Sequence, residues 1–280
     1  MRLYGQSLQG VPGNASRFLL RFSYLGTRYS GIQRQAAREP NTVEKPTVQY
    51  ALESAINSSF RLKYPAVLSL SSRTDAGVHA VLNTAHVDLL GNTDDFTVSE
   101  ENLVYYVNKY MLRNRHDVVL REAIRVPYWF HARFCAQRRT YIYRIAVPKE
   151  GRSKFKRFVP LEELNHCYIV PGPVDIEIMQ KACKFFEGFH NFASFRNTQN
   201  VNQPPEKNIS EFSLVPEHVV KRQYMEADLA ESFSWWRFTI SGRSFLYRQV
   251  RRMVGSVLAV GLGKIPLEEV SYNSSRTATY

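Results

Sequence analysis

The hydrophobic pattern switches along the chain between a period of two and a period near 3.6, and strands and helices interleave from end to end. Arg17-Phe-Leu-Leu-Arg-Phe-Ser-Tyr24 alternates as a strand and runs into a loop rich in Gly, Arg and Tyr. Pro46 and Thr47 open a helix whose apolar positions Val48, Leu52, Ala55 and Ile56 share a face. Val67 to Ser71 and Val81 to Leu89 read as strands flanking a short polar segment. Ser99, with Glu100 and Glu101 in the first turn, caps a second helix with Leu103, Val104, Val107 and Met111 on its buried side. A strand at Asp117 to Arg125 then meets Val126-Pro127, where proline stops the ladder. The layout repeats: a strand over Thr140 to Val147, a helix over Ile176 to Phe186, a strand over Trp235 to Ser241 and a helix over Phe245 to Val260. Asn197 to Lys207, carrying Pro204-Pro205, reads as a loop. The division is a tail over residues 1–16, a first half over 17–126 and a second over 127–280, an α+β chain of two similar α/β halves.

Composition narrows the partner. The 280 residues, 44% hydrophobic, suffice for a sizeable core, and 37 Lys and Arg against 25 Asp and Glu give a net charge of +12. Such a balance points to a polyanion. No run approaches the roughly 18 to 20 apolar residues of a spanning helix, so a membrane is not the expected partner. The 3 cysteines, Cys135, Cys167 and Cys183, form no C-x-x-C pair and no even set, which reads as a reduced, intracellular chain with cysteines in its core. Met1 to Arg38 contains arginines and no acid, the composition of a mitochondrial presequence, with cytoplasm or nucleus as the alternative.

Candidate chemistry concentrates in a few places. Ser71-Ser-Arg-Thr-Asp-Ala-Gly-Val-His-Ala80 sets Arg73, Asp75 and His79 between two apolar strands, where Asp-x-Gly can make a tight turn that aims a carboxylate out of a sheet. A surface turn with an incidental ion pair fits the same residues. Basic and aromatic residues interleave over His131 to Pro160 and Ser232 to Leu267, and that mixture suits phosphates and unstacked bases. Strand alternation puts Arg139, Tyr141 and Tyr143 on one face, and Arg248, Arg251 and Arg252 make one charged helical stripe. Dinucleotide, P-loop and zinc signatures are absent from the sequence: His131-x-x-x-Cys135 and His166-Cys167 lack spacing partners.

The unbroken Ser72-Arg-Thr-Asp-Ala-Gly-Val-His-Ala80 resembles the central motif of TruA-type tRNA pseudouridine synthases, and the chain is most similar to their eukaryotic synthase-like branch. Gly31-Ile-Gln-Arg-Gln35, Phe130-His-Ala-Arg-Phe-Cys-Ala136, Arg139-Thr-Tyr-Ile-Tyr-Arg144, Gly188-Phe-His-Asn-Phe192 and Phe245-Leu-Tyr-Arg-Gln-Val-Arg-Arg-Met-Val-Gly255 follow in family order. The resemblance implies a pseudouridine synthase fold, with two halves around a shared, mainly antiparallel sheet and a basic central cleft. It also implies cofactor-free, metal-free isomerisation of uridine in tRNA. Carried over by motif, Asp75 is the essential carboxylate, Arg251 holds it ionised, Arg73 helps displace the target base and Tyr141 packs on the uracil. Arg133, Arg138, Arg139, Arg248 and Arg252 are the expected RNA contacts, with mitochondrial mRNA and a homodimer as further expectations. Two positions depart from the pattern: Leu25 precedes Gly26 where the family has an acidic or amide residue, and Ser274 to Tyr280 ends the chain without the family's closing strand. The second departure leaves an alternative expectation, a truncated or alternatively spliced, non-catalytic RNA-binding form.

Overall fold

The computed structural model describes residues 15–35, 46–93, 95–149, 159–197, 203–217 and 231–270. The expected tail up to residue 14, the chain end from 271 and the middle of the 197–207 loop lie outside these residues. The chain divides into two compact units, Met1–Ala136 and Gln137–Tyr280.

In the first unit, strand β1 (Ala15–Tyr24) lies between β3 (Ala80–Leu90) and β4 (Val118–Val126), with the short β2 (Ser69–Leu70) outside β3, in the order β2-β3-β1-β4. All of these pairings are antiparallel. The alternation read in the sequence is literal: Phe18, Leu20, Phe22 and Tyr24 are buried while the residues between them are not. Helices α1 (Val48–Ser59) and α2 (Glu100–Arg113) cover that face and complete a core through Leu52, Ile56, Leu103 and Val107. Thr47 and Ser99 start them, accepting from the amides of Tyr50 at 3.3 Å and Asn102 at 3.2 Å.

The second unit repeats the plan. Strands β5 (Arg139–Pro148), β6 (Tyr168–Ile169), β7 (Gly188–Asn191), β8 (Glu206–Pro216) and β9 (Phe233–Gly242) form a sheet in the order β6-β5-β9-β8-β7. Only the β5–β6 pairing is parallel among the described strands. Helices α3 (Ile176–Lys184) and α4 (Gln249–Gly261) pack on one face around Phe186, Phe212, Phe238, Ile240 and Val257. The chain is therefore α+β and mainly antiparallel, with helices on one face of each sheet. Strand pairing among the described residues gives a four-stranded sheet in the first unit and a five-stranded one in the second.

Several boundaries move from those read in the sequence. Pro127 ends β4 but does not end the first unit: Arg17 donates to the carbonyls of Tyr128 at 2.5 Å and Phe130 at 2.8 Å, and the Ala132 amide donates to His86 Nδ1 at 3.1 Å. These bonds keep residues 127–136 with the unit before them. The final helix starts at Gln249, not Phe245, because Arg248 takes a left-handed φ of 62° that no continuing helix tolerates. Strand β8 claims Glu206 and Lys207 from the expected loop. Of the cysteines only Cys183 is buried in the core; Cys167 is half-buried and Cys135 exposed.

Two polar groups, one half-buried and one buried, make stability testable. On β5, Arg144 bonds Glu217 through Nε at 2.6 Å and Glu163 through Nη1, with about a fifth of its side chain exposed. Arg144→Ala strands two carboxylates and should cost about 3 kcal/mol in urea unfolding, with Arg144→Lys recovering only part because it lacks the fork. His86, 5% exposed, is lowered from 6.5 to about 4 by burial and by the charges of Arg17 and His131. Between those pH values the folded state holds fewer protons than the unfolded one, so this contribution is complete above 6.5 and lost as pH falls toward 4. His86→Gln should flatten that part of the urea-midpoint profile, and an unchanged profile would refute the assignment.

Candidate active site

In the first unit the candidate chemistry sits on the turn between β2 and β3. The Asp75 carbonyl accepts from the Val78 amide at 3.3 Å, closing the turn, and Gly77 takes a φ of 77° that few side-chain-bearing residues adopt. Arg73 is exposed and Asp75 half-buried. The loop after β1 grips this turn through its backbone. Ile32 donates to the Thr74 carbonyl at 3.2 Å, Gly77 donates to the Tyr29 carbonyl at 3.3 Å, and Gly26 donates to His79 Nδ1 at 3.1 Å. The grip is close: a Cβ on Gly26 would lie 2.0 Å from the Val78 carbonyl oxygen, which excludes one, and a Cβ on Gly31 would lie a tight 3.0 Å from that of Thr74 at a φ of 113° that side-chain-bearing residues rarely adopt. Leu25 fits without consequence, since its side chain is exposed and its amide bonds the Asp117 carbonyl at 3.0 Å.

The same loop is fastened to the helix layer. Gln49, buried at the start of α1, accepts from the Arg34 amide at 3.0 Å and donates to the Leu68 carbonyl at 3.2 Å. Glu53, one turn on, accepts from Gln49 at 2.8 Å, from the Leu68 amide at 2.8 Å and from Arg34 Nη1 at 3.3 Å. Sequence periodicity placed both positions on a helix but gave them no role; a buried Gln-x-x-x-Glu pair facing a loop was the available signal.

The second unit carries the remaining candidates. Tyr141, on β5, meets Phe245 edge to face with ring centroids 5.1 Å apart. Two residues along the same strand, burial raises the Tyr143 pKa while the charge of the Arg251 guanidinium works against that rise. Phe245 is held by the turn before α4: buried Gln249 accepts from the Leu246 amide at 2.8 Å, and its own amide donates to the Leu246 carbonyl at 3.1 Å. Arg248, in the strained left-handed conformation, lies over the Tyr247 ring at 5.2 Å. Arg252 donates to the carbonyls of Arg196 and, at 3.4 Å, Ser194. Arg139 donates to the Arg243 carbonyl.

The candidates thus divide between the units. Arg73, Asp75 and Arg133 belong to the first; Arg138, Arg139, Tyr141, Arg248, Arg251 and Arg252 belong to the second. Arg133, Arg138, Arg248, Arg251 and Arg252 are exposed, and Arg139 is half-buried. Among the described residues no group of His, Cys, Asp and Glu is arranged to hold a metal ion. His131 instead packs edge to face on His86 at 4.6 Å, and the Cys167 thiol faces the Glu163 carbonyl at 3.6 Å.

Comparison with known proteins matches residues 182–274 to the family model described as tRNA pseudouridine synthase. The chain is 35% identical over 262 residues to tRNA pseudouridine synthase-like 1 of Xenopus laevis, covering 93% of this chain and 83% of that protein. It is 32% identical to the Homo sapiens protein of the same name, over 94% of this chain and 84% of the other. With tRNA pseudouridine synthase A of Dinoroseobacter shibae the identity is 33%, over 88% and 82% respectively. Alignment at this identity spans both units, the Asp75 turn and the Tyr141 strand included, and the chain belongs to the family of tRNA pseudouridine synthases, RNA-modifying isomerases.

Proposed function

We propose that this chain isomerises uridines of tRNA to pseudouridine, with Asp75 as the essential carboxylate and no cofactor. The observation that carries the assignment is the Asp75 turn itself: a half-buried carboxylate on a turn fixed by backbone bonds on both sides, within the family's central motif. The reaction needs such a group. The N1–C1′ bond of uridine breaks, the base turns, C5 bonds to C1′, the C5 proton leaves to solvent and N1 takes one up in exchange. An ionised carboxylate serves either as nucleophile toward C1′ or C6 or as the base that starts glycal formation. Both routes require the charge, which is the role assigned to Arg251.

Tyr141 is assigned to the uracil ring. Its contact with Phe245 fixes the plane of the phenol, so the platform is set before the base arrives. Arg73, exposed at the rim of the turn, is assigned to the space a flipped base vacates, where it offsets a cost of a few kcal/mol. Arg133, Arg138, Arg139, Arg248 and Arg252 are assigned to phosphates, consistent with a net charge of +12.

The test is tritium release from tRNA labelled at uridine C5. Wild type should release label and Asp75→Ala none above background, while tRNA affinity stays within about threefold because phosphate contacts dominate it. Release by Asp75→Ala would refute the carboxylate assignment. Salt-sensitive binding by a folded wild type that releases no label from any tRNA would instead favour the non-catalytic RNA-binding reading.

A further inference from the structure

Beneath the Asp75 turn runs a chain of buried polar side chains to which the proposed reaction assigns no role. Tyr24, at the end of β1, is 4% exposed, and its hydroxyl lies 2.7 Å from Thr74 Oγ1. Thr74 is the residue immediately before Asp75. Asn83 on β3, 7% exposed, donates to the Tyr24 oxygen at 3.4 Å. Ser71, 8% exposed, donates to Asn83 Oδ1 at 3.2 Å, and Thr84 Oγ1 donates to Ser71 Oγ at 2.8 Å.

Bond directions in this chain follow from one fixed donor. The Thr84 backbone N–H can only donate, and it does so to Asn83 Oδ1 at 2.8 Å. The Asn83 oxygen is therefore the acceptor end, and its NH2 faces Tyr24. The phenol oxygen accepts that bond, and the phenol and the Thr74 hydroxyl share the next one, in which either can donate. Each link polarises the next, from the strand ladder to the residue carrying Asp75.

Strand pairing aims the phenol. Phe22 faces Asn83 and Tyr24 faces Ala80, so β3 spends one more residue than β1 in that interval. Such a bulge bends the strand and re-aims its side chains. It brings Tyr24 level with the turn while the Tyr24 ring stacks on that of Phe22, with centroids 6.1 Å apart.

A purely structural account fits poorly. A core of this kind gains stability from apolar side chains, and Phe at position 24 with Val at 74 would fill similar space without needing buried partners. Backbone bonds already close the turn and hold its Thr74 carbonyl. The Tyr24–Thr74 bond adds a side-chain tie to the residue immediately before Asp75, which those backbone bonds do not supply.

We propose that Tyr24 and Asn83 are positioning residues for Asp75, acting through the Thr74 hydroxyl to fix the stretch of turn from which the carboxylate projects. This rests on the assignment of Asp75 under Proposed function. Neither residue touches the substrate in this scheme, so their loss should appear in turnover and not in RNA affinity.

The test compares full-length wild type, Tyr24→Phe, Thr74→Val, their double variant, Thr74→Ser and Asp75→Ala in tritium release, tRNA filter binding and thermal melting. Tyr24→Phe and Thr74→Val should each lower kcat roughly tenfold or more, with KM and tRNA affinity within twofold. The double variant should be no worse than either single one, since both remove the same bond. Thr74→Ser, which keeps the hydroxyl, should recover most of the rate. Loss of release in Asp75→Ala beside a Tyr24→Phe kcat within twofold of wild type would overturn the positioning role alone. So would losses that add in the double variant, or that track melting temperature. Release by Asp75→Ala would overturn the underlying assignment instead. Should Tyr24→Phe fail to fold, Thr74→Val reads the same bond from its less buried end.

Discussion

The organisation of the first unit depends on a close approach between two backbones, the loop after β1 and the turn before β3. Gly26 rests against the Val78 carbonyl at a distance that excludes a side chain, and Gly31, with a φ of 113°, packs tightly against the Thr74 carbonyl in a conformation that side-chain-bearing residues rarely adopt. Because contact is made by main chain, its geometry is set by peptide planes and not by flexible side chains. The approach also dictates the rest of the loop: the Tyr29 carbonyl accepts from the Gly77 amide, and Ile32 buries its side chain while its amide donates to the Thr74 carbonyl. A carboxylate that must not wander is thereby carried on a segment with little freedom of its own.

Both units use one further device, an amide side chain on a helix that satisfies main-chain groups outside that helix. Gln49 does this for Arg34 and Leu68, and Asn57 accepts from Ala66 at 2.8 Å. Asn108 pairs with both the amide and the carbonyl of Leu120 on β4, at 2.9 and 2.8 Å. In the second unit Gln249 closes the turn bearing Phe245, whose ring orients Tyr141. An amide can donate and accept at once without carrying charge, so it fastens irregular backbone to a helix without the desolvation cost of burying an ion.

Sequence pattern exposed these elements unevenly. β1 and α2 were legible because one face of each is buried, so the alternation at Phe18 to Tyr24 and the helical spacing from Leu103 to Met111 are undiluted. The Asp75 turn was legible because its residues are unusual between apolar strands. Strand β7 and the start of β8 were not: Gly188 and the Pro204-Pro205 pair look like loop, and the pairing of Glu206 and Lys207 with Asn191 and His190 overrides that local preference. The late start of α4 was hidden for another reason, since Phe245 to Arg248 has helical composition and only the left-handed φ at Arg248 breaks it. Tyr24 and Asn83 read as a strand end and a strand interior, and their shared connection to Thr74 exists only through the bulge between Phe22 and Tyr24.

Net charge was legible too, but not which charges meet a polyanion. Arg17, Arg21, Arg28 and Arg144 form ion pairs with Asp88, Glu122, Asp117 and the Glu163–Glu217 pair, so much of their charge is compensated within the protein. Arg252 and Arg248 are held differently, the first by the carbonyls of Ser194 and Arg196, the second by the face of Tyr247. Carbonyls and rings orient a guanidinium without cancelling its charge, whereas a carboxylate does both. An arginine proposed for phosphate contact needs orientation with its charge intact, and neutral partners supply that. The left-handed backbone at Arg248 fits the same reasoning: glycine would relieve the strain but could present no cation, and the strain is retained where a cation is proposed to meet RNA.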